Sequence, residues 1–154
     1  MNGIGVNFSV EDDEVIKAFD QLLSGAGSIA KEAARHAAEE LKARVAEKMP
    51  VDAGVARDSL RIVPTKLKRR GYYGFDVEYD TEMILAHSPP TEQDPRGHWF
   101  YPATIEYGSP KLHRESVAPM REAVDLYGEA IVTDMKAELG AAILAEAAKY
   151  EVSA

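Results

Sequence analysis

Residues 28–50 read SIAKEAARHAAEELKARVAEKMP and predict the clearest helix of the chain. Ser28 is of a residue type that caps helix N-termini, and Pro50 cannot continue a helix, so both ends are marked. Apolar residues recur every four positions between them, at Ile29, Ala33, Ala37, Leu41, Val45 and Met49. This face is rich in alanine, which allows another helix to approach closely but contributes little buried area per residue.

Two further helices are predicted, one before this helix and one after it. A short helix covers about residues 13–23, with acidic residues in its first turn, where the helix dipole favours them. The sequence SGAGS, Ser24–Ser28, is expected to break the chain between this helix and the long one. A final helix is expected over Pro119–Ala148, with apolar residues at three- and four-residue spacings and a proline in its first turn.

The middle of the chain and its first residues predict strands. Apolar and polar residues alternate over Ile4–Val10 and Phe75–Tyr79, which is the pattern of a strand with one buried face. A further strand is predicted over Trp99–Tyr107, with Trp99, Tyr101, Ala103, Ile105 and Tyr107 on one face. Another strand begins at Ile62–Val63, and Pro64 restricts it to a sheet edge because proline lacks a backbone donor. The sequence therefore predicts about four strands.

These elements predict an α+β fold in one domain over residues 1–148. A mostly antiparallel sheet of about four strands is expected to pack against two long helices, one in the N-terminal half and one at the C-terminus, plus a short helix. The segment at about residues 81–98 contains three prolines and is expected to be a long loop. Loops of this length are usually functional or are ordered by a partner. Residues 149–154 are expected to be a flexible tail.

Composition excludes several classes of protein. The 154 residues carry 26 acidic and 18 basic side chains, a net charge of −8, which argues against tight binding of nucleic acid. The absence of cysteine excludes disulfides, thiolate metal sites and cysteine nucleophiles. No basic region followed by an apolar run opens the chain, and no run of apolar residues is long enough for a membrane span. A soluble, unexported protein is expected.

Three short motifs, in order along the chain, carry a family resemblance. Pro50–Gly54 (PVDAG) runs into Arg57–Leu60 (RDSL), Tyr101–Ser109 reads YPATIEYGS, and Ala118–Ala123 reads APMREA. Together they resemble motifs of the siphophage neck or tail-completion proteins, small virion proteins found at the head-to-tail junction. The resemblance spans roughly residues 30–135.

The resemblance implies a structural role without catalysis and without a cofactor. Copies of such a protein are expected to form a ring, six-fold in symmetry, that continues the DNA channel and joins the connector to the tail. The expected partners are further copies of the chain, the connector or head-closure protein, and the tail terminator or tail-tube proteins. DNA would pass through without specific binding, as the acidic charge also suggests, and no membrane is involved. The protein would be made in the bacterial host cytoplasm and end in the virion.

Candidate residues form two groups. Asp52, Gly54 and Gly108 are predicted to form structural turns, with a positive φ expected at Gly54 and hydrogen bonds to turn N–H groups at Asp52. Candidates for a subunit or partner interface lie in a basic turn, an aromatic cluster and a strand end: Lys66, Lys68, Arg69, Arg70, Trp99, Tyr101, Glu106 and Tyr107. Each has a structural alternative, namely a solvated turn, a core aromatic or a solvated carboxylate.

Chemical sites find weaker support in the sequence. His87, His98 and His113 with Asp94 or Glu92 are suitable zinc ligands by type, but their spacing matches no recognised motif. Carboxylates alternating with apolar residues are typical of any solvated strand face, and neither a metal site nor catalysis is predicted.

Two alternative functions stay open beside the neck protein. One is a tail terminator or head-closure protein of the same particle. The other is a cellular α+β binding module or small enzyme, with its pocket beside the loop at about residues 81–98.

Overall fold

The computed structural model describes residues 13–50, 53–66, 73–87, 92 and 101–149. The elements, in chain order, are α1 (Asp13–Lys48), α2 (Gly54–Asp58), β1 (Leu60–Pro64), β2 (Phe75–Tyr79), α3 (Thr81–Ala86), α4 (Pro102–Tyr107), a 3₁₀ turn (Pro110–Leu112) and α5 (Pro119–Ala148). The α-helices contain 71% of the described residues. None of the helices in this part of the chain is long and apolar enough to cross a membrane.

The long helices α1 and α5 lie side by side and run in opposite directions. Lys48, at the end of α1, contacts Glu122 near the start of α5, with 2.9 Å between Nζ and Oε1. His36 contacts Glu138 further along, with 2.7 Å between Nδ1 and Oε1. Ala33 is buried, as expected for the alanine-rich face of α1. Small side chains therefore allow the close packing that the sequence predicted.

The predicted break at Ser24–Ser28 is wrong, since α1 continues through it as one helix. A Cβ atom on Gly25 would lie 3.3 Å from the Glu146 side chain of α5, and one on Gly27 would lie 2.7 Å from the Tyr73 hydroxyl. These glycines therefore permit neighbouring side chains to approach the helix closely. The contacts offset the low helix propensity of glycine, which is about 1 kcal/mol per residue.

The strand β2 has the predicted bounds, whereas β1 begins at Leu60, two residues before the predicted start at Ile62, and the two strands pair antiparallel. Alternate residues of β1 lie opposite apolar residues of β2, and Leu60, Val77 and Tyr79 of this face pack near Val45 of α1. The three apolar pairs are Leu60 with Tyr79, Ile62 with Val77, and Pro64 with Phe75. Packing against α1 stabilises a hairpin that would be marginal alone.

The predicted α+β fold with about four strands is wrong, because the described chain is mostly helical and has a two-stranded sheet. The strand expected to end at Tyr107 is the helix α4. Pro102 suits the first helical position, where its missing N–H needs no partner. Thr104, Ile105 and Glu106 are buried in succession, whereas a strand with one buried face would bury alternate residues.

The loop predicted at about residues 81–98 begins instead with the helix α3. Asp80 caps this helix, because its Oδ1 accepts hydrogen bonds from the backbone N–H groups of Glu82 (3.0 Å) and Met83 (3.1 Å). Most of the remaining loop and the predicted strand Ile4–Val10 lie outside the described residues.

The helix α5 has the predicted bounds. Its first turns pack against the end of α1 and the short elements between the two helices. Two clusters of buried residues lie there: one contains Met49, Ala53, Ala56, Ile84 and Ile105, and the other contains Val45, Leu60 and Ala123. The compact end, defined by these two clusters, holds the end of α1, the start of α5 and the short elements between them.

Replacing Ala123 by leucine should test this packing. Ala123 is fully buried among Val45 and Leu60. Three added carbon atoms have no space there, so we expect Ala123→Leu to lower the free energy of unfolding by about 1–3 kcal/mol in urea denaturation. The control Ala141→Leu lies on an exposed position of the same helix and should change it by less than about 0.5 kcal/mol. Equal losses in both variants would contradict the assigned packing.

Candidate functional site

The three motifs of the sequence meet at the compact end. Ala53, from the first motif, and Ile105, from the second, belong to one buried cluster. Glu106, from the second, binds the backbone of Met120, from the third. A cleft of about 410 Å³ lies beside them, lined by Pro50, Ala53, Tyr101, Thr104, Ile105, Arg114, Glu115 and Val117. The motifs thus build one joint between α1, α4 and α5.

Glu106 binds the N-terminus of α5. Its Oε2 accepts a hydrogen bond from the Met120 N–H (3.0 Å), and its Oε1 accepts from the Arg121 N–H (3.3 Å). The residue before the helix, Ala118, supplies no side-chain cap. The Glu106 carboxylate therefore takes the place of a local N-cap, and its negative charge lies where the helix dipole favours it.

Arg121 of α5 also binds Glu106 of α4. Its Nε donates to Glu106 Oε1 at 3.0 Å, and its Nη2 donates to the Glu106 backbone oxygen at 2.6 Å. Ser116 donates its hydroxyl to that backbone oxygen as well, at 2.6 Å. The guanidinium also lies over the Tyr107 ring, 5.3 Å from its centroid. Glu106, only 6% exposed, is thus held within the chain, which excludes the alternative of a solvated carboxylate. Its place in a subunit or partner interface stays a prediction.

Gly108 has the backbone conformation that was predicted for Gly54. Its φ of 74° and ψ of 178° belong to a region that is essentially restricted to glycine. Gly54 begins the helix α2 and has no positive φ, so that expectation is wrong. Asp52 lies outside the described residues. The turn after α4 is therefore the one that requires glycine.

The predicted aromatic cluster divides between core and surface. Tyr101 is half-buried against the Met49 cluster, and burial raises its pKa. Tyr79 packs on the same cluster, and burial raises the pKa of Tyr79 to about 12. Tyr107 is 71% exposed, and Trp99 lies outside the described residues. Tyr107 is the aromatic candidate that is accessible to a partner.

Of the predicted basic turn, the structure describes only its first residue. Lys66 is exposed just beyond the end of β1. Lys68, Arg69 and Arg70 lie outside the described residues. A role of this turn in a subunit or partner interface stays a prediction.

The carboxylates of β2 are engaged in contacts within the hairpin. Arg61 donates to Glu78 Oε1 (2.8 Å) and to Asp80 Oδ2 (2.9 Å). The Thr65 hydroxyl donates to Asp76 Oδ1 at 2.9 Å. This arrangement is that of an ion-paired strand face.

The histidine and acidic residues weighed as metal ligands do not come together in the described part of the chain. Within that part, no group of three or more suitable side chains could hold a metal ion. His98 and Asp94 lie outside it, while His87, His113 and Glu92 are exposed.

The helix α5 carries a second apolar stripe, which sequence reasoning missed. Its positions are spaced alternately by four and three residues, as in the seam of a coiled coil. We call it the outer seam; it comprises the exposed residues Leu126, Ala130, Thr133, Ala137, Gly140 and Leu144. Leu126 is 58% exposed and Leu144 is 73% exposed. The spacing of the outer seam is present in the sequence. The apolar residues of α5 that face α1 follow a helical spacing too, so the two sets are not distinguished by spacing alone.

Comparisons of the chain with protein-family models, with curated proteins and with solved structures found no match. The proposals below therefore depend on the motifs and on the geometry of the described residues.

Replacing Glu106 by glutamine should test the joint. The amide would lose the charge that faces both the helix N-terminus and Arg121, so we expect Glu106→Gln to lower the free energy of unfolding by about 1–3 kcal/mol. Glu115→Gln, at an exposed position nearby, is the matched control and should have little effect. Chemical denaturation followed by circular dichroism measures both. Unchanged stability of Glu106→Gln would show that the carboxylate does not hold α5.

Replacing Gly108 by alanine should test the turn after α4. A Cβ atom there would lie 3.0 Å from the Arg114 oxygen and 3.0 Å from the Ser116 nitrogen, and φ would be strained. We expect Gly108→Ala to cost about 1–3 kcal/mol in thermal or urea unfolding. Gly54→Ala is the control, because a Cβ on Gly54 meets nothing within 4 Å, and it should leave stability unchanged or raise it by up to about 1 kcal/mol.

Proposed function

We propose that the protein is a structural component of a tailed-phage particle whose copies form a ring at the head-to-tail junction. The ring continues the DNA channel and joins the connector to the tail. The observation that carries the proposal is the outer seam of α5, exposed along a helix whose other side already packs on α1. The three motifs that resemble those of neck and tail-completion proteins support the position in the particle.

The outer seam favours assembly. A helix on the surface of a monomer usually has one apolar face, and a helix that is apolar on two sides is usually buried on both. The seam extends from Leu126 to Leu144, 18 residues apart, or about 27 Å along the helix. Exposed leucines stand at its two ends, and the small residues between them allow another helix to approach closely.

The charges beside the outer seam favour a ring over a two-fold dimer. If two seams paired antiparallel over their full length, Asp134 would lie near Asp134 of the other copy, and Lys136 near Lys136. In a parallel pair, Glu129 would lie near Asp134 of the other copy. Like charges at these positions destabilise both pairs. The seam of one copy therefore contacts a different surface of the next, and such head-to-tail contacts form a ring when the rotation between copies closes.

The charge of the chain suits a conduit for DNA. With a net charge of −8, the ring repels the phosphate backbone, so a duplex slides through it without being held. The ring is expected to be six-fold, with the connector or head-closure protein on one side and the tail terminator or tail-tube proteins on the other. The protein is made in the host cytoplasm and is retained in the virion.

Electron cryo-microscopy of purified particles tests the position in the neck. We expect density for a ring between connector and tail into which α1 and α5 fit, and peptides of the chain in mass spectra of the same particles. The proposal fails if the protein is absent from the particles and is monomeric at high concentration.

A charge placed in the outer seam should prevent assembly without unfolding the chain. Because Leu144 is 73% exposed, Leu144→Glu should change the free energy of unfolding by less than about 0.5 kcal/mol. Incorporation of the variant into particles, measured by mass spectrometry, should fall at least about tenfold, because a carboxylate would be buried in the ring contact. Val132→Glu, also on α5 but outside the seam, should be incorporated normally. Equal incorporation of both variants would remove the seam from the ring contact.

A further inference from the structure

The connection between α4 and α5, Gly108–Ala118, contains the unusual backbone of the molecule. Gly108, His113 and Ala118 have positive φ angles of 74°, 50° and 51°, and no other residue in the described part of the chain has one. His113 and Ala118 lie in the left-handed α region, which is unfavourable for residues with a side chain. Such residues persist where surrounding contacts hold them, and they are frequent in segments that switch between two arrangements.

Ala118 is strained at the position where α5 begins. The residue before a helix normally has extended backbone and caps the helix with its side chain, whereas Ala118 does neither. In its left-handed conformation, the N–H groups of Val117 (2.9 Å) and Ala118 (3.2 Å) both donate to the oxygen of Ile105 in α4. The chain therefore returns to α4 before it enters α5, and the bend between the two lies at Ala118.

Glu106 holds the chain on both sides of this bend. After Ala118, its carboxylate accepts hydrogen bonds from the N–H groups of Met120 (3.0 Å) and Arg121 (3.3 Å). Before Ala118, its backbone oxygen accepts a hydrogen bond from the Ser116 hydroxyl at 2.6 Å. These contacts keep Ala118 in a conformation that it would otherwise leave for the extended region.

His113 is held in a different way. It lies inside a pair of backbone hydrogen bonds between Ser109 and Arg114, one from each N–H to the oxygen of the other residue, at 2.9 and 3.1 Å. Both bonds belong to the connection itself, and Glu106 takes part in neither. The strain at His113 is therefore independent of the joint between α4 and α5.

We propose that the start of α5 is a two-state switch that Glu106 holds closed. In the closed form, Ala118 is left-handed and Glu106 binds the N–H groups of Met120 and Arg121. In the open form, Ala118 is extended, and the first turn of α5 separates from α4 while the rest of the helix stays on α1. The Arg121 side chain is 57% exposed, so the contacts that close the switch are accessible from the surface. The switch is a property of a single copy and does not require the proposed ring.

Amide hydrogen exchange tests whether Glu106 holds the connection closed. The N–H groups of Val117 and Ala118 donate to a backbone oxygen of α4, and that of Glu122 donates to the Ala118 oxygen (2.8 Å). Replacing Glu106 removes none of these acceptors. In Glu106→Gln we expect the three amides to exchange at least about tenfold faster relative to the amide of Val45 in α1, which reports unfolding of the whole chain.

Glycine substitutions test the strain at Ala118. Glycine adopts the left-handed region freely, so Ala118→Gly should raise the equilibrium constant for folding about two- to fivefold in the wild-type background. In the Glu106→Gln background Ala118 is already extended, and the same substitution should lower the constant, because glycine loses more conformational freedom on folding. The control His113→Gly should change the constant by the same factor in both backgrounds. Urea denaturation of the single and double variants measures these constants.

Two outcomes would overturn the switch. If Glu106→Gln accelerates exchange equally at Val117 and at Val45, the joint opens only when the whole chain unfolds. If Ala118→Gly has the same effect in both backgrounds, Glu106 does not hold the strain. Should Glu106→Gln fail to fold, Ser116→Ala, which removes one contact with the Glu106 backbone oxygen, is the milder background for both measurements. The ring is judged from the presence of the protein in particles, so neither result affects it.

Discussion

The capture of the α5 N-terminus by Glu106 is the constraint on which the rest of the structure depends. The carboxylate is buried and accepts three hydrogen bonds, from the N–H groups of Met120 and Arg121 and from the Arg121 Nε. The backbone oxygen of Glu106 accepts another from the Arg121 Nη2. A buried carboxylate is costly unless it is paired and hydrogen-bonded, and both conditions are met here. Because α5 begins at this joint, the direction and rotation of all of its 30 residues are set there.

The rotation of α5 decides which of its two apolar sides packs within the chain. Ala123 and Ile131 are buried, whereas Leu126 and Leu144 are exposed. Two polar contacts between α1 and α5 lie at different points along the helices: Lys48 with Glu122, and His36 with Glu138. Both form in a single alignment of α5 along α1. The His36–Glu138 contact is exposed and the Lys48–Glu122 contact is partly buried, and ion pairs with this much solvent access contribute little to stability, so their effect is on alignment.

Sequence predicted those elements whose local pattern agrees with their packing. Phe75–Tyr79 and Pro119–Ala148 are of this kind, since the apolar residues that define each pattern face a neighbour. The error at Ser24–Ser28 arises because Glu146 packs on Gly25 from far along the chain, which no local pattern contains. The strand predicted over Trp99–Tyr107 is wrong for a related reason. Glu106 is buried against the backbone of Met120, 14 residues further along the chain, and the local pattern contains no sign of this contact.

The distribution of apolar surface connects the fold to assembly. The two buried clusters stabilise the compact end. Along the rest of the α1 and α5 pair, which we call the arm, the buried residues include Ala33, Ala38 and Ile131, and the alanines bury little area per residue. Contacts of the outer seam with a neighbour would add apolar burial along the arm, so that assembly and ordering of the arm support each other. The small residues of the arm also allow neighbouring helices to approach closely.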